Sequence, residues 1–212
     1  MSKILVITIG RTGSTNLCKG IADILNLEFI DEPFNPLKSK EVWSFNQSKI
    51  KSSKDIIVKH IWFHTVDNIF YLDFLKILTQ DFDEVFILTR KNIKEHFESI
   101  VNLKYKTKLN QDIFGKYVFE DIPFSFIENY KNTTLNLEKL EKHNNDLKIL
   151  AEKNNIEIIY YEDIYSDDID SNFDVIKKVL PNVSTNLKKF LDNKNRQRLF
   201  DSKKQFIWVY QL

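Results

Sequence analysis

Apolar residues along this chain fall into two rhythms, one short and unbroken, the other recurring every three to four positions. Leu5, Val6, Ile7, Thr8 and Ile9 are of the first kind, a β-branched run of strand length. From Asn16 onward, Leu17, Ile21, Ile24 and Leu25 recur at helical spacing. Leu27–Ile30 is a second short apolar run, closed by Asp31-Glu32-Pro33-Phe34-Asn35-Pro36, whose two prolines forbid a helix. Lys38–Lys54 is polar and mixed, with Trp43 and Phe45, and predicts no more than a short helix. Asp55–His60 reads as a third strand buried on both faces, and Thr65–Asp81 as an amphipathic crossover helix. Asp83–Arg90 predicts a fourth strand and Ile93–Tyr105 the helix after it. Lys106–Ile122, with Gly115 and then Pro123, reads as an irregular lid or acceptor loop. Asn129–Asn154 predicts one long helix, with Leu137, Leu140, Leu147 and Ala151 on its apolar side. Ile156–Tyr160 is a fifth strand, and Phe173–Leu180 a short helix stopped by Pro181. Five strands alternating with helices predict an α/β fold, a mostly parallel five-stranded sheet flanked by helices. Ligands of such a sheet bind at the C-terminal strand edge, where Glu32, Lys59, His60 and Arg90 fall.

At 212 residues the chain predicts a single domain spanning 1–212, with 42% hydrophobic and 29% charged residues. Thirty-one basic against 30 acidic side chains leave a net charge of +1, which argues against nucleic-acid or membrane-surface binding. The one cysteine, Cys18, excludes an intramolecular disulfide and predicts a small buried filler in a reducing compartment. Met1-Ser2-Lys3 leads straight into the first strand, and no apolar run reaches membrane-spanning length, so a cytoplasmic location is expected.

With only four glycines in the chain, the pair in Gly10-Arg11-Thr12-Gly13-Ser14-Thr15 stands out. Strand, small-residue loop and helix is the order that gathers backbone N–H groups and a helix N-terminus around an anion. Ser14 and Thr15 are expected to cap the helix and to offer hydroxyls to a phosphate. An ordinary βα turn also favours Gly and Ser, but it has no use for the charge of Arg11. The nucleoside triphosphatase pattern is excluded because no Lys precedes the hydroxyl, and the dinucleotide G-x-G-x-x-G is absent. A phosphatase-type cysteine loop fails because no arginine follows Cys18 at the required reach.

Residues Arg11–Thr15 resemble the 5′-phosphosulfate loop of sulfotransferases, x-P-[KR]-[ST]-G-[ST]-T, with Gly10 in place of the usual proline. Glu32-Pro33 resembles the E-P turn of soluble bacterial members, in which the glutamate is the proposed base. Arg90 and Ser99 reproduce the R-x(8)-S spacing with which the bacterial trehalose and nodulation-factor type holds the donor's 3′-phosphate. Tyr161-Glu162-Asp163 resembles the segment that ends the family's last strand and reads as packing at the sheet edge. His60 is similar to the histidine of the animal enzymes' Lys-Thr-His segment, without the middle threonine, and stands as the reserve base. His64 reads as structural. In the family a basic C-terminal segment closes over the 3′-phosphate, and Arg196 and Arg198 are the nominees here.

The resemblance implies a P-loop-like sulfotransferase without the membrane anchor of Golgi members, using 3′-phosphoadenosine 5′-phosphosulfate as donor. It implies donor contacts from Arg11, Thr12, Gly13, Ser14, Thr15, Asn16, Arg90 and Ser99, with Glu32, Arg11 and His60 as the catalytic candidates. The acceptor is expected to be a small molecule or carbohydrate hydroxyl, or an amine. No metal is expected, since no His/Cys/carboxylate cluster has ligand spacing. The alternatives are a nucleotide or small-molecule kinase on a related fold and a catalytically idle nucleotide-binding protein.

Overall fold

The structure, a computed structural model, describes residues 2–35, 40–66, 81–108, 122–123, 125–128 and 137–192, with the backbone alone at 40, 65, 66, 106 and 107. The expected crossover helix and lid, residues 129–136 of the long helix, and Arg196 and Arg198 lie wholly or largely outside the described residues.

Five strands form one parallel sheet: β1 (Ser2–Thr8), β2 (Glu28–Asp31), β3 (Asp55–Ile61), β4 (Glu84–Thr89) and β5 (Glu157–Tyr160), in the order β2-β3-β1-β4-β5. The fold is therefore α/β with an all-parallel sheet flanked by helices, as its alternating pattern predicts. β1 runs through the middle, hydrogen-bonded to β3 and β4, and every side chain from Ile4 to Ile9 is buried. A strand covered on both faces has no polar side to alternate with, which is why its sequence reads as one apolar run.

The two faces are nonetheless distinct. Ile4 and Val6 pack with Leu17, Cys18 and Ile21 of α1 (Ser14–Leu25) and with Phe173 and Ile176 of α7 (Ile169–Val179). Leu5, Ile7 and Ile9 face the other way. They meet Ile50 of α2 (Lys40–Ser52), Phe97 and Val101 of α4 (Ile93–Lys108), and Leu140 and Leu147 of α5 (Leu137–Asn154). Single turns α3 (Phe63–Val66) and α6 (Tyr161–Ile164) follow β3 and β5 directly. Truncating a fully buried residue such as Leu17 to alanine costs about 2–5 kcal/mol in such a core.

Helix ends follow local chemistry. α1 and α5 both stop at an asparagine in the left-handed region, Asn26 and Asn155. In each case the next residue's N–H returns to an alanine carbonyl, Leu27 to Ala22 and Ile156 to Ala151. α4 opens on Asn92, whose side chain accepts from the Glu95 N–H at 3.1 Å while its own amide donates to Glu95 Oε1 at 2.8 Å. Asp168 caps α7 by accepting from the Ser171 N–H at 3.0 Å.

The polar stretch 40–52 forms a full helix of 13 residues rather than a short one. Two hydrogen bonds hold it to the preceding turn, Trp43 Nε1–H to Asn35 O and Asn46 Nδ2–H to Pro33 O. In α5, Leu140, Leu147 and Ala151 are buried as expected, but Leu137 is exposed and Leu150 is buried in its place. No helix among the described residues is long and apolar enough to cross a membrane.

Candidate functional site

Because all five strands are parallel, their C-terminal ends share one edge, with Asp31 beside Lys59, Thr8 beside Ile61 and Leu88, and Thr89 beside Tyr160. Helix α1 leaves β1 toward one face and α4 leaves β4 toward the other. The crevice between neighbouring strands whose connections diverge is where such sheets bind ligands.

The loop 9–13 is built over that crevice. Thr8 Oγ1 bonds Thr12 Oγ1 at 2.5 Å and donates to Ile9 O at 3.0 Å, so the buried Thr12 hydroxyl faces the sheet and not the crevice. Trp62 N–H donates to Thr8 O at 2.8 Å and ties the loop to the end of β3. Gly13 then takes φ +72°, the left-handed region that glycine enters without a Cβ penalty. A Cβ there would lie 2.9 Å from Tyr165 Cε2 and 3.1 Å from Tyr161 Cε2, so the position needs glycine twice over.

Gly13 is also the N-cap of α1. No side chain caps the helix, and no acidic residue stands in its first turn. The expected Ser14 and Thr15 caps are replaced: Ser14 is buried, and the Thr15 hydroxyl accepts from Lys59 Nζ at 2.9 Å. The first-turn amides of Ser14, Thr15 and Asn16 thus carry the positive end of the helix dipole with no acidic residue in that turn.

Three further side chains gather on the β4 side. Arg11 Nε–H donates to Ser99 Oγ at 3.4 Å. The Arg90 guanidinium lies 4.1 Å from the centre of the Tyr161 ring and donates to Glu95 O at 3.4 Å. Burial lowers the Arg11 pKa, the neighbouring charge of Arg90 lowers it further, and Tyr161 works the other way. Neither arginine makes an ion pair among the described residues, and Arg90 Nε is buried without a partner there.

The turn after β4 is fixed to α6. Lys91 N–H donates to Glu162 Oε2 at 2.9 Å, and Lys91 Nζ meets Asp163 Oδ1 at 2.5 Å. Tyr161-Glu162-Asp163 therefore packs at the sheet edge as its pattern suggests. It also supplies the ring against Arg90, which the sequence did not disclose. Next to Arg90, Thr89 Oγ1 donates to Asn144 Oδ1 and anchors α5 at the same edge.

On the β2 side the chain turns at Glu32 with φ +47°. Lys59, itself buried, reaches Glu32 Oε1 at 2.9 Å, Asp31 Oδ1 at 2.8 Å and Thr15 Oγ1 at 2.9 Å. Asn35 Nδ2–H donates to Glu32 Oε2 at 2.9 Å. Burial alone would push the Glu32 carboxyl up, but the hydrogen bonds and charge of Lys59, with Asn35 and His64, hold it below the usual range. Burial likewise opposes the Lys59 charge, and Asp31 and Glu32 outweigh it, so its pKa is raised.

Four non-glycine residues with positive φ stand among the described residues. Two are the asparagines that end helices; the other two are Arg11 and Glu32. Backbone in that region is costly for residues with side chains and clusters at ligand sites.

His60 stands apart from this network. It follows Lys59 in β3 and so points to the opposite sheet face. Its ring packs edge-on to Phe34 and His64, with centroids at 5.9 and 6.3 Å. Burial pushes its pKa down to about 3, helped by His64 and Lys59, so the imidazole is neutral. Cys18 is buried and its thiol is pushed up by burial, consistent with a filler.

Besides the Tyr161 ring, two contributors escape the sequence pattern, Lys59 as a bridge and His96. The sequence places Lys59 at the edge but does not mark it as the link between loop and carboxylates. His96, one turn before Ser99, bonds the loop carbonyl of Gly10 at 2.7 Å. The period of two along β3 was the signal for the first, since Lys59 and His60 cannot both face one crevice. The second contact spans 86 residues and leaves no local mark. Among the described residues no group of three or more His, Cys, Asp or Glu is placed to hold a metal ion.

No protein-family model matches this chain, and no curated protein matches it. Among solved structures, an unliganded sugar kinase from Janibacter sp. HTCC2649 is similar over 85% of this chain and 95% of that one, at 12% identity and a TM-score of 0.37.

Proposed function

We propose that this protein is a sulfotransferase that moves a sulfuryl group from 3′-phosphoadenosine 5′-phosphosulfate to an acceptor hydroxyl or amine. The observation that carries the reading is the meeting of Arg11, Arg90 and Ser99 beside an uncapped helix N-terminus, with no carboxylate paired to either guanidinium among the described residues. Two like charges held together repel, and the arrangement suits a ligand with separated anionic groups. The residues that meet are those of the Arg11–Thr15 and Arg90/Ser99 motifs.

In this reading the 5′-phosphosulfate lies on the first-turn amides of α1, and the 3′-phosphate on Arg90 and Ser99. The acceptor oxygen attacks sulfur in line, the bond from sulfur to the phosphate oxygen breaks, and the nucleotide leaves with that electron pair. The acceptor proton passes to Glu32, which Lys59 and Asn35 hold as a carboxylate, the state a general base needs at the outset. Arg11 and the loop amides stabilise the charge that grows on the leaving oxygen. Positioning and electrostatics supply most of the rate, as in phosphoryl transfer. Thr12 contributes its backbone amide, since its hydroxyl is engaged with Thr8. His60, neutral and on the other face, stands second to Glu32 as base.

The acceptor is a carbohydrate or small molecule. Labelled donor offered to a panel of sugars and simple alcohols tests the activity directly. Glu32→Gln should lower turnover by about 10²–10⁴-fold with nucleotide affinity unchanged. Full turnover in Glu32→Gln would remove Glu32 from the mechanism and make His60→Ala the next variant.

A further inference from the structure

His96 and Ser99 stand three residues apart on one face of α4, and both reach the loop after β1. Ser99 holds the Arg11 side chain, while His96 holds the backbone just before it. His96 Nε2 lies 2.7 Å from Gly10 O. A carbonyl can only accept, so Nε2 carries the proton and Nδ1 presents a lone pair. The ring is fully buried, and Nδ1 has no partner among the described residues. An apolar ring would fill the same space without an unmet acceptor, so the gain lies in the bond to Gly10.

That bond acts where the chain most needs it. Gly10 is uncrowded where a Cβ would stand, with Ile61 Cδ1 the nearest atom at 3.9 Å, and glycine has the widest backbone freedom of any residue. Arg11, the next residue, takes φ +68°, a conformation its own side chain disfavours. Local preference therefore does not set the peptide between them. Its carbonyl and N–H point in opposite directions, as in any trans peptide. Fixing the Gly10 carbonyl toward α4 aims the Arg11 N–H away from α4.

We infer that His96 is a positioning residue of the anion site, whose Nε2–H holds the Gly10–Arg11 peptide so that the Arg11 amide and guanidinium are presented to the bound anion. The inference rests on reading Gly10–Thr15 as an anion loop. Burial pushes the His96 pKa down to about 4; the Gly10 bond and Glu162 oppose that shift, and Arg90 and Arg11 reinforce it. The ring therefore remains a neutral Nε2–H donor near neutral pH.

Calorimetric titration of the full chain with inorganic pyrophosphate and with adenosine 3′,5′-bisphosphate tests this, beside thermal unfolding of each variant. His96→Phe keeps the ring volume and removes the donor, and should weaken pyrophosphate binding about tenfold or more, the scale of a lost hydrogen bond in a charged site. His96→Gln retains an N–H and should recover most of the affinity, which a purely space-filling role does not predict. Unchanged affinity in His96→Phe, or equal loss in both variants, would overturn the inference. Should His96→Phe not fold, ring-nitrogen NMR of the unaltered protein decides. An Nδ1–H tautomer, or an Arg11 amide resonance indifferent to pyrophosphate, refutes it; an Nε2–H tautomer with a responsive Arg11 amide upholds it. Binding of pyrophosphate but not of the bisphosphate would refute the sulfotransferase reading and leave His96 in place. Binding of neither would refute the anion loop on which both stand.

Discussion

Gly13→Ala is the sharpest perturbation of the loop, because two separable costs fall on one methyl group. The backbone stands at φ +72°, where a side chain costs about 1–2 kcal/mol. The new Cβ would also lie 2.9 Å from Tyr165 Cε2 and 3.1 Å from Tyr161 Cε2, closer than such atoms pack. Tyr165 is buried, with its hydroxyl donating to Gly13 O at 3.3 Å, so its ring has little room to retreat. Overpacking of that kind costs about 1–3 kcal/mol. Together the two give a loss of about 2–5 kcal/mol, which for a chain of this size lowers the midpoint by about 4–20 °C. The control is Gly10→Ala, with open space around the added carbon, which should stay within about 1 kcal/mol of the parent. Denaturant unfolding of both, with midpoints compared at constant slope, is the assay. Equal stability of the two variants would refute the claim that the loop is built around a glycine at 13.

Two further predictions concern charge. Removing the ammonium in Lys59→Met leaves burial of Glu32 opposed only by Asn35 and His64, so the Glu32 carboxyl should rise above its present depressed value in a carbon-detected NMR titration. The loss should be about 1–3 kcal/mol, less than for a fully buried pair because Glu32 and Asp31 are partly solvated. Glu32 contributes stability above its unfolded pKa that disappears as pH falls through the lower folded one, and Lys59→Met should lack that acid-side step. An unchanged Glu32 titration would contradict the pairing. The second is a pH effect from histidine burial, with the opposite residue type but the same direction. His96 and His60 are held neutral, with pKa about 4 and about 3 against an ordinary 6.5, so the unfolded chain binds more protons below pH 6.5. Stability should therefore fall between pH 7 and pH 5, by about 2 kcal/mol for His96 alone. His96→Phe should flatten that slope; a slope identical to the parent's would show that His96 is not held neutral.

How much of this was readable before the structure follows from what each element rests on. β1, β3 and β4 are covered on both faces, so their central positions, Ile4–Ile7, Ile56–Val58 and Phe86–Leu88, are apolar without alternation and unmistakable. The loop after β1 and the pair Arg90/Ser99 were legible as motifs, and the fold brings them together through the order of β1 and β4 in the sheet. Helix α2 is longer than its pattern predicts because its apolar side is weak: Val42 is 40% and Phe45 66% exposed, and its hydrogen bonds to Asn35 and Pro33 come from an indole and a side-chain amide. The Ser14 and Thr15 caps that the sequence predicts do not form because Gly13 takes the cap position with a left-handed backbone, and Thr15 is engaged by a lysine 44 residues away. Adjacency in sequence puts His60 beside Lys59 at the edge, yet adjacency within a strand is what sends them to opposite faces. His96 and Tyr161 act through contacts across the fold, which no local window contains.

The central claim is that the crevice between β1 and β4 binds a nucleotide carrying phosphate at both its 5′ and 3′ positions. Thermal unfolding with adenosine 3′,5′-bisphosphate, set against ATP with magnesium, tests it most directly, because a ligand that binds only the native state must raise the midpoint. The account predicts a rise with the bisphosphate alone, and loss of about 1.5–3 kcal/mol of that binding in Arg90→Ala. A rise with ATP and magnesium alone would contradict it and point to a kinase.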